Sequence, residues 1–429
     1  RKARKNNGAK RDMHYEMEEE EHVVYPDDPD FDINKARLFT TVPRICVRYE
    51  CIPMRFIKHV YKIHTYTQEG RLFEGKTPAS AFLNSSYDGS FIAGLMELRY
   101  IQSLPVERII NYFEGYGFTL KKPTAHKLIE KASSLFENLY KCIRQTALSD
   151  PYKAADETYY KILVPEKNSK GKRVRKGYLW VVVGINTRMI YLLYDDGSRS
   201  ERVILNELGG CKGIIQSDGY SPYRKLESDA YPNITRIPCL QHIKRKFIDC
   251  GEKDPDAKRI VELINALYQN EHKHKVGVEG WTVEQNLMHR KKYAPDILGE
   301  IKDVLDEIEE RGDLLPKSEL QEAITYLRNE WNAVVDIFNY GDTYLDNNMV
   351  ERMNRYISLS RKNSLFFGSH KGAERGAILY TIALTCRMHK VNLFEYLTDV
   401  INRTAEWQPN TPIEKYRELL PDRWEKAND

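Results

Sequence analysis

The sequence has 429 residues, 41% of them hydrophobic and 30% charged, with a formal net charge of +4. That length exceeds one ordinary compact core and predicts two or three domains, and the apolar share permits real cores within a soluble protein. No run of eighteen apolar residues occurs and no signal-peptide pattern opens the chain, so neither a transmembrane helix nor export is expected. The cysteines (Cys46, Cys51, Cys142, Cys211, Cys239, Cys250, Cys386) are odd in number and lack a C-x-x-C pair. They predict free thiols in a reducing, cytoplasmic protein.

Residues 1–11 carry six basic groups and no acid, and residues 12–32 carry ten acids. Blocks of one sign are solvated tail or binding segment, and a charged mobile tail is expected over 1–37. Residues 38–76 predict a small β-rich segment, with alternating stretches at Arg44–Ile52 and Met54–His64. Cys46, Cys51, His59 and His64 lack a zinc-ligand spacing, since strand residues five apart face opposite ways.

Residues 77–150 have a helical pattern. Ser103 is expected to cap a helix with Pro105 in its first turn, Gly115-Tyr116-Gly117 breaks it, and Lys121 opens a second helix. The arrangement is either a plain helical hairpin or a helix-turn-helix, in which Lys121, Lys122 and Lys127 would meet phosphates.

From 151 to 251 the pattern runs strand, strand, strand, helix, strand, strand, the order of a ribonuclease-H-like mixed sheet. Asp156 lies on the first strand. Tyr178–Ile185 and Met189–Tyr194 form a hairpin, Ser200–Leu208 a helix, and Gly213–Ser217 a buried strand ending at Asp218. Open α/β sheets place their chemistry at such carboxyl ends. The turn between the first two strands carries Lys167, Lys170, Lys172, Arg173, Arg175 and Lys176 against one acid; it is either a solvated tip or a phosphate contact. Cys239-x-x-His242 opens the next helix without a second ligand pair, and Arg245 and Lys246 on that helix suit nucleic acid better.

Residues 252–340 read as a helical insertion with stripes at Ile260-Val261-x-x-Ile264 and Ile301-x-x-Val304-Leu305-x-x-Ile308. The catalytic fold is expected to resume over 341–402, followed by a C-terminal tail at 403–429. Its first helix, after Asp346, gathers Met349, Val350, Met353, Tyr356 and Ile357 on one side and Asn348, Glu351 and Arg355 on the other. Asp156, Asp218 and Glu351 are candidates to converge. Three ionised carboxylates require a strong countercharge, which hard divalent cations supply through oxygen ligands.

In order, Ala155-Asp156-Glu157-Thr158, Gln216-Ser217-Asp218-Gly219-Tyr220, Cys239-x-x-His242-x-x-Arg245-Lys246-Phe247, Asp346-Asn347-Asn348-x-x-Glu351-Arg352 and Arg361-Lys362-Asn363-x-x-Phe366-x-Gly368-Ser369 resemble the motifs of insertion sequence 66 family transposases, bacterial members of the D-D-E group. The likeness runs from about residue 77 to 423. It implies an enzyme that binds the terminal inverted repeats of its element, hydrolyses a phosphodiester and drives the freed 3′-hydroxyl into target DNA. Two Mg²⁺ ions, for which Mn²⁺ substitutes, roughly 3.5–4 Å apart would clamp the attacking and leaving oxygens, with Asp156 bridging and Asp218 and Glu351 completing one each. Arg352, Arg355, Arg361 and Lys362 would position phosphates, or Arg355 would pair with Glu351. Pairing two DNA ends implies a homodimer or larger assembly, with element-encoded accessory proteins as further partners. The same triad serves a ribonuclease-H-like nuclease without strand transfer, and a non-catalytic DNA-binding derivative is a third reading. Many family members carry a cysteine-rich zinc segment near the amino terminus, whose C-x-x-C pairs are missing around residues 33–70.

Overall fold

The computed structural model describes residues 54–425, apart from 61, 63, 69–70, 75–80, 83–84, 168–170, 252–253, 274–280, 406 and 409. The expected tail over 1–37, the strand at Arg44–Ile52, Cys46, Cys51 and Lys170 lie outside the described residues. Residues 54–60 have no regular structure, and the first hairpin falls later than the alternation predicts, at β1 (Thr65–Gln68) and β2 (Arg71–Glu74). Phe56 instead packs among Phe91, Phe113 and Phe118. Aromatic burial there outweighs the alternating pattern.

Four helices follow: α1 (Gly89–Tyr100), α2 (Val106–Gly115), α3 (Lys122–Leu135) and α4 (Glu137–Ser149). The N-cap of α2 is Pro105, not Ser103; Ser103 adopts a left-handed conformation at φ 59° in the preceding turn. Pro123 sits in the first turn of α3, where its missing N–H costs nothing.

The centre is a five-stranded mixed sheet of β3 (Tyr152–Leu163), β4 (Val174–Gly184), β5 (Ile190–Leu193), β6 (Gly213–Ser217) and β7 (Ile234–Pro238), in the order β5-β4-β3-β6-β7. The β3–β4 and β4–β5 pairs are antiparallel, and β3–β6 and β6–β7 are parallel. The run Leu179–Val183 on β4 is buried throughout, as a strand covered on both faces requires. Gly213 starts β6 at φ +91°, and a Cβ there would lie 2.2 Å from the Pro151 carbonyl oxygen, so the close approach of β6 to β3 depends on glycine.

Helix α5 (Glu201–Leu208) connects β5 to β6, and α6 (Ser221–Arg224) follows β6. After β7 come α7 (Leu240–Asp249), α8 (Pro255–Lys273), α9 (Val283–Arg311) and α10 (Glu319–Ile337), then α11 (Asn348–Asn363), α12 (His370–Met388), α13 (Leu393–Ala405) and α14 (Ile413–Glu418). Thr282 and Gln285 form a reciprocal capping box at the start of α9, and Gly312 ends it in the left-handed conformation. Helix α12 is buried along most of its length, and its Thr381 and Thr385 hydroxyls accept hydrogen bonds from the β5 amides of Leu192 and Ile190. The segment after α14 packs back on α13: Tyr396 donates its hydroxyl proton to Leu419 O, and the Trp424 indole N–H donates to Asp399.

Candidate active site

Strand β3 pairs with β6 only from Tyr152 to Ala154. Beyond Ala154 the two strands diverge, and β3 presents an edge that must find other hydrogen-bond partners. Helix α11 and the segment after it supply them. Asn347 Nδ2 donates to Ala155 O at 3.0 Å, Arg361 Nη1 donates to Tyr159 O at 2.7 Å, and Phe367 N donates to Lys161 O at 2.8 Å. The crevice between the strand ends is therefore roofed by the helix that carries Glu351.

Asp156 stands just past the point of divergence, and Asp218 is the first residue after β6. Burial, the Glu157 charge and the Asp218 charge, in that order, push the Asp156 carboxyl up to about 8. One side-chain hydrogen bond opposes the shift, because Asn354 Nδ2 donates to Asp156 Oδ2 at 2.6 Å. Glu157 is almost fully buried and pairs with Arg199, whose guanidinium also lies 4.1 Å from the Tyr220 ring centroid. Burial raises the Glu157 carboxyl too, and Arg199 lowers it.

Asp218 is fixed largely through its backbone. Arg236 Nη2 donates to Asp218 O at 2.8 Å, and the next amide, Gly219 N, donates to Tyr326 OH at 2.8 Å. Arg236 is itself buried and pairs with the buried Glu330 of α10 at 2.5 Å. Helix α10 thus braces the loop that carries Asp218.

Glu351 occupies the first turn of α11, three residues before Asn354 and on the adjoining face of the helix. Its Oε1 lies 3.6 Å from Nδ1 of His242 on α7. Asp346 accepts a hydrogen bond from Asn348 N, although the N-cap position belongs to Asn347. The buried stripe of α11 is Val350, Asn354, Ile357 and Ser360, whereas Met349, Met353 and Tyr356 are half-buried.

The structure gathers Asp156 and Asp218 in one electrostatic cluster and ties Asp156 to the Glu351 helix through Asn354. Sequence reasoning missed Asn354, Asn347 and the Glu157–Arg199 pair. Asn354 left one signal: it falls between Val350 and Ile357 on an otherwise apolar stripe at spacings of four and three.

The basic candidates divide by environment. Lys121, Lys122, Lys127, Lys172, Arg173, Arg175, Lys176, Arg245, Lys246, Arg352, Arg355 and Lys362 are exposed. Lys122 pairs with Glu107 at 2.7 Å, and Lys176 lies 4.4 Å from the Tyr159 ring centroid. Arg361 is engaged within the fold, stacking over Tyr159 at 3.9 Å and donating to Thr158 Oγ1 and Tyr159 O.

The profile of the Transposase IS66 family matches residues 84–375, which span every element of this site. The chain belongs to the IS66 family of transposases. Family membership makes DNA its class of partner. Among similar proteins of Sinorhizobium fredii, Uncharacterized protein y4jD is 26% identical over 370 residues, covering 83% of this chain and 70% of the relative. Uncharacterized protein y4hP is 24% identical over 438 residues, covering 96% of this chain and 76% of the relative. Among the described residues, no helix of this IS66 family member is long and apolar enough to cross a membrane.

Proposed function

We propose that this IS66 family transposase cleaves element ends and joins the 3′-hydroxyl to target DNA at a site formed by Asp156, Asp218 and Glu351 on a ribonuclease-H-like sheet. The observation that carries the reading is the Asp156 carboxyl, recessed where β3 and β6 part and pushed up to about 8 by burial and by two further carboxylates. Crowded carboxylates of that kind need either a proton or a divalent cation as countercharge, and their oxygen donors suit a hard cation. The donor set is all oxygen at Asp156 and Asp218, which suits magnesium or manganese. Two such ions, when bound, supply the positive charge that stabilises the attacking and leaving oxygens of a phosphodiester.

The protein's part is orientation. Asn354 fixes one oxygen of Asp156, the Arg236–Glu330 pair and Tyr326 fix the Asp218 loop, and α11 carries Glu351 to the crevice. Exposed cations at Arg245 and Lys246 on α7 and at Arg352, Arg355 and Lys362 on α11, the helix of Glu351, would bear on the phosphate backbone. Those at Lys121, Lys122 and Lys127, in the α2–α3 hairpin, and the β3–β4 turn with Lys172, Arg173, Arg175 and Lys176 are candidates for DNA farther along the duplex. Function on two ends calls for a dimer or larger assembly.

The test is a gel assay with labelled element-end DNA and target DNA in Mg²⁺ or Mn²⁺, comparing the native chain with Asp156→Asn and Glu351→Gln. Joined products that disappear in both variants are expected. Cleaved but unjoined DNA moves the reading to a nuclease, and tight binding without cleavage moves it to a DNA-binding derivative.

A further inference from the structure

A second cluster of ligand-type side chains lies beside the carboxylates, where the first turns of α7 and α11 meet. Cys239 Sγ, a His242 ring nitrogen and a Glu351 carboxylate oxygen all lie within 4.8 Å of one another. The two strand-to-helix junctions are stitched together at this point: Leu240 N donates to Leu345 O at 2.9 Å, and Asn347 N donates to the Cys239 sulfur at 3.2 Å. The backbone that holds the three side chains is therefore rigid, as a preorganised ligand set requires.

Two atoms of the cluster lack any hydrogen-bond partner although they are shielded from solvent, His242 Nδ1 and Glu351 Oε1. Orphaned buried polar atoms are costly, and a pair of them 3.6 Å apart within a cluster that includes a thiol calls for an occupant. The charges that bear on the sulfur come from Glu351 and Asp346, both negative. Around a tetrahedral zinc with bonds of roughly 2.0–2.3 Å, ligand atoms stand about 3.3–3.6 Å apart, close to the His242–Glu351 separation.

We propose that Cys239, His242 and Glu351 form a binding site for one soft divalent cation of the zinc class, which shares Glu351 with the catalytic carboxylates and leaves Asp156 and Asp218 as a separate all-oxygen pair. A thiolate, an imidazole and a carboxylate select zinc-like ions over magnesium. Three protein ligands leave a fourth position for water or a phosphate oxygen. The site goes beyond the transposase reading and stands whether or not Asp156 and Asp218 hold magnesium.

Loading the site has a proton balance. The cation takes the place of the Cys239 thiol proton, which leaves to solvent as the sulfur–metal bond forms. The Asn347 amide and the first turn of α7 stabilise the resulting thiolate.

The experiment uses the full chain, stripped with a chelator and titrated with Co²⁺ as a spectroscopic stand-in for Zn²⁺. A thiolate-to-cobalt charge-transfer band saturating at one equivalent, removed by competing Zn²⁺ and absent in Cys239→Ser, is expected. His242→Ala, at a partly exposed side chain, keeps the fold should Cys239→Ser not, and weakens binding at least about tenfold. Asp156→Asn with Asp218→Asn retains the band, and that double variant separates this site from the catalytic reading, whose own failure shows only in cleavage. Absence of the band, its persistence unchanged in Cys239→Ser or His242→Ala, or its loss in the double aspartate variant overturns the proposal.

Discussion

Asn354 Nδ2 donates to Asp156 Oδ2 at 2.6 Å, across the gap between α11 and the central strand, while Asn354 Oδ1 is buried without a hydrogen-bond partner. The bond links the first and third carboxylates of the proposed site, because Glu351 lies on the same helix three residues earlier. Removing such a supporting group typically costs 10–100-fold in activity, roughly the effect expected for Asn354→Ala on strand cleavage, with DNA affinity unchanged. Asn354→Asp places a further carboxylate against Asp156 and moves the acidic limb of the pH–rate profile upward. An Asn354→Ala chain that melts earlier but cleaves at the native rate and pH profile would show that the bond serves packing alone.

Metal-free stability carries a pH signature of the same carboxylate. Asp156 has a folded-state value of about 8, far above its ordinary unfolded value, so between about pH 4 and pH 8 the folded chain holds a proton that the unfolded chain has released. Stability from this group is complete below pH 4 and is lost as pH rises through 8, at up to ~1.4 kcal/mol per pH unit. Asp156→Asn removes that loss. Its melting temperature in chelator should match the native chain near pH 4 and exceed it at pH 8; equal melting temperatures at both pH values would contradict the burial argument.

The order of strands, the α5 connection and the apolar character of β4 and β6 follow from local pattern, which is why the sheet is legible in the sequence. Asp218 was found because a buried strand ends there, and Asp156 because a carboxylate interrupts an otherwise strand-like run. Partnerships made across the chain are not legible in the same way. Asn354 reaches a strand 198 positions earlier, and Glu351 meets His242 on a helix whose register against α11 is set by Leu345 and Asn347. The displaced hairpin near the amino end has the same origin, since Phe56 joins a cluster with Phe91, Phe113 and Phe118 that no local alternation encodes.

Arg236 and Glu330 are both buried and pair with each other, Arg236 also reaching Glu227 and Glu330 lying 3.8 Å from Arg224. Breaking a buried pair by removing one partner typically costs about 3–5 kcal/mol, because the remaining charge is left in a poor solvent. Arg236→Met should therefore lower the denaturant midpoint by an amount in that range and also reduce cleavage, since Arg236 Nη2 holds Asp218 O. Tyr326→Phe separates the two effects: it leaves the ion pair intact and removes the acceptor for Gly219 N, at a cost of about 1 kcal/mol. Loss of cleavage in Tyr326→Phe with near-native stability would place α10 in the positioning of Asp218; native cleavage would limit α10 to structural support.

Arg361 and Lys362 are neighbours in one motif, yet their surroundings predict opposite phenotypes. The Arg361 guanidinium lies 3.9 Å from the Tyr159 ring centroid and donates to Tyr159 O and Thr158 Oγ1. Arg361→Ala should lower stability by roughly 1–2 kcal/mol through the lost stacking and hydrogen bonds, and leave the salt dependence of DNA binding unchanged. Lys362 is exposed near the end of α11. If it meets a phosphate, Lys362→Ala leaves the melting temperature alone and reduces the slope of log affinity against log salt by about 0.9, the contribution of one neutralised phosphate on duplex DNA. Paired melting curves and salt titrations on the two variants decide the matter. A reduced slope in Arg361→Ala would mean that the arginine leaves Tyr159 to grip DNA, whereas an unchanged slope in Lys362→Ala would remove that lysine from the interface.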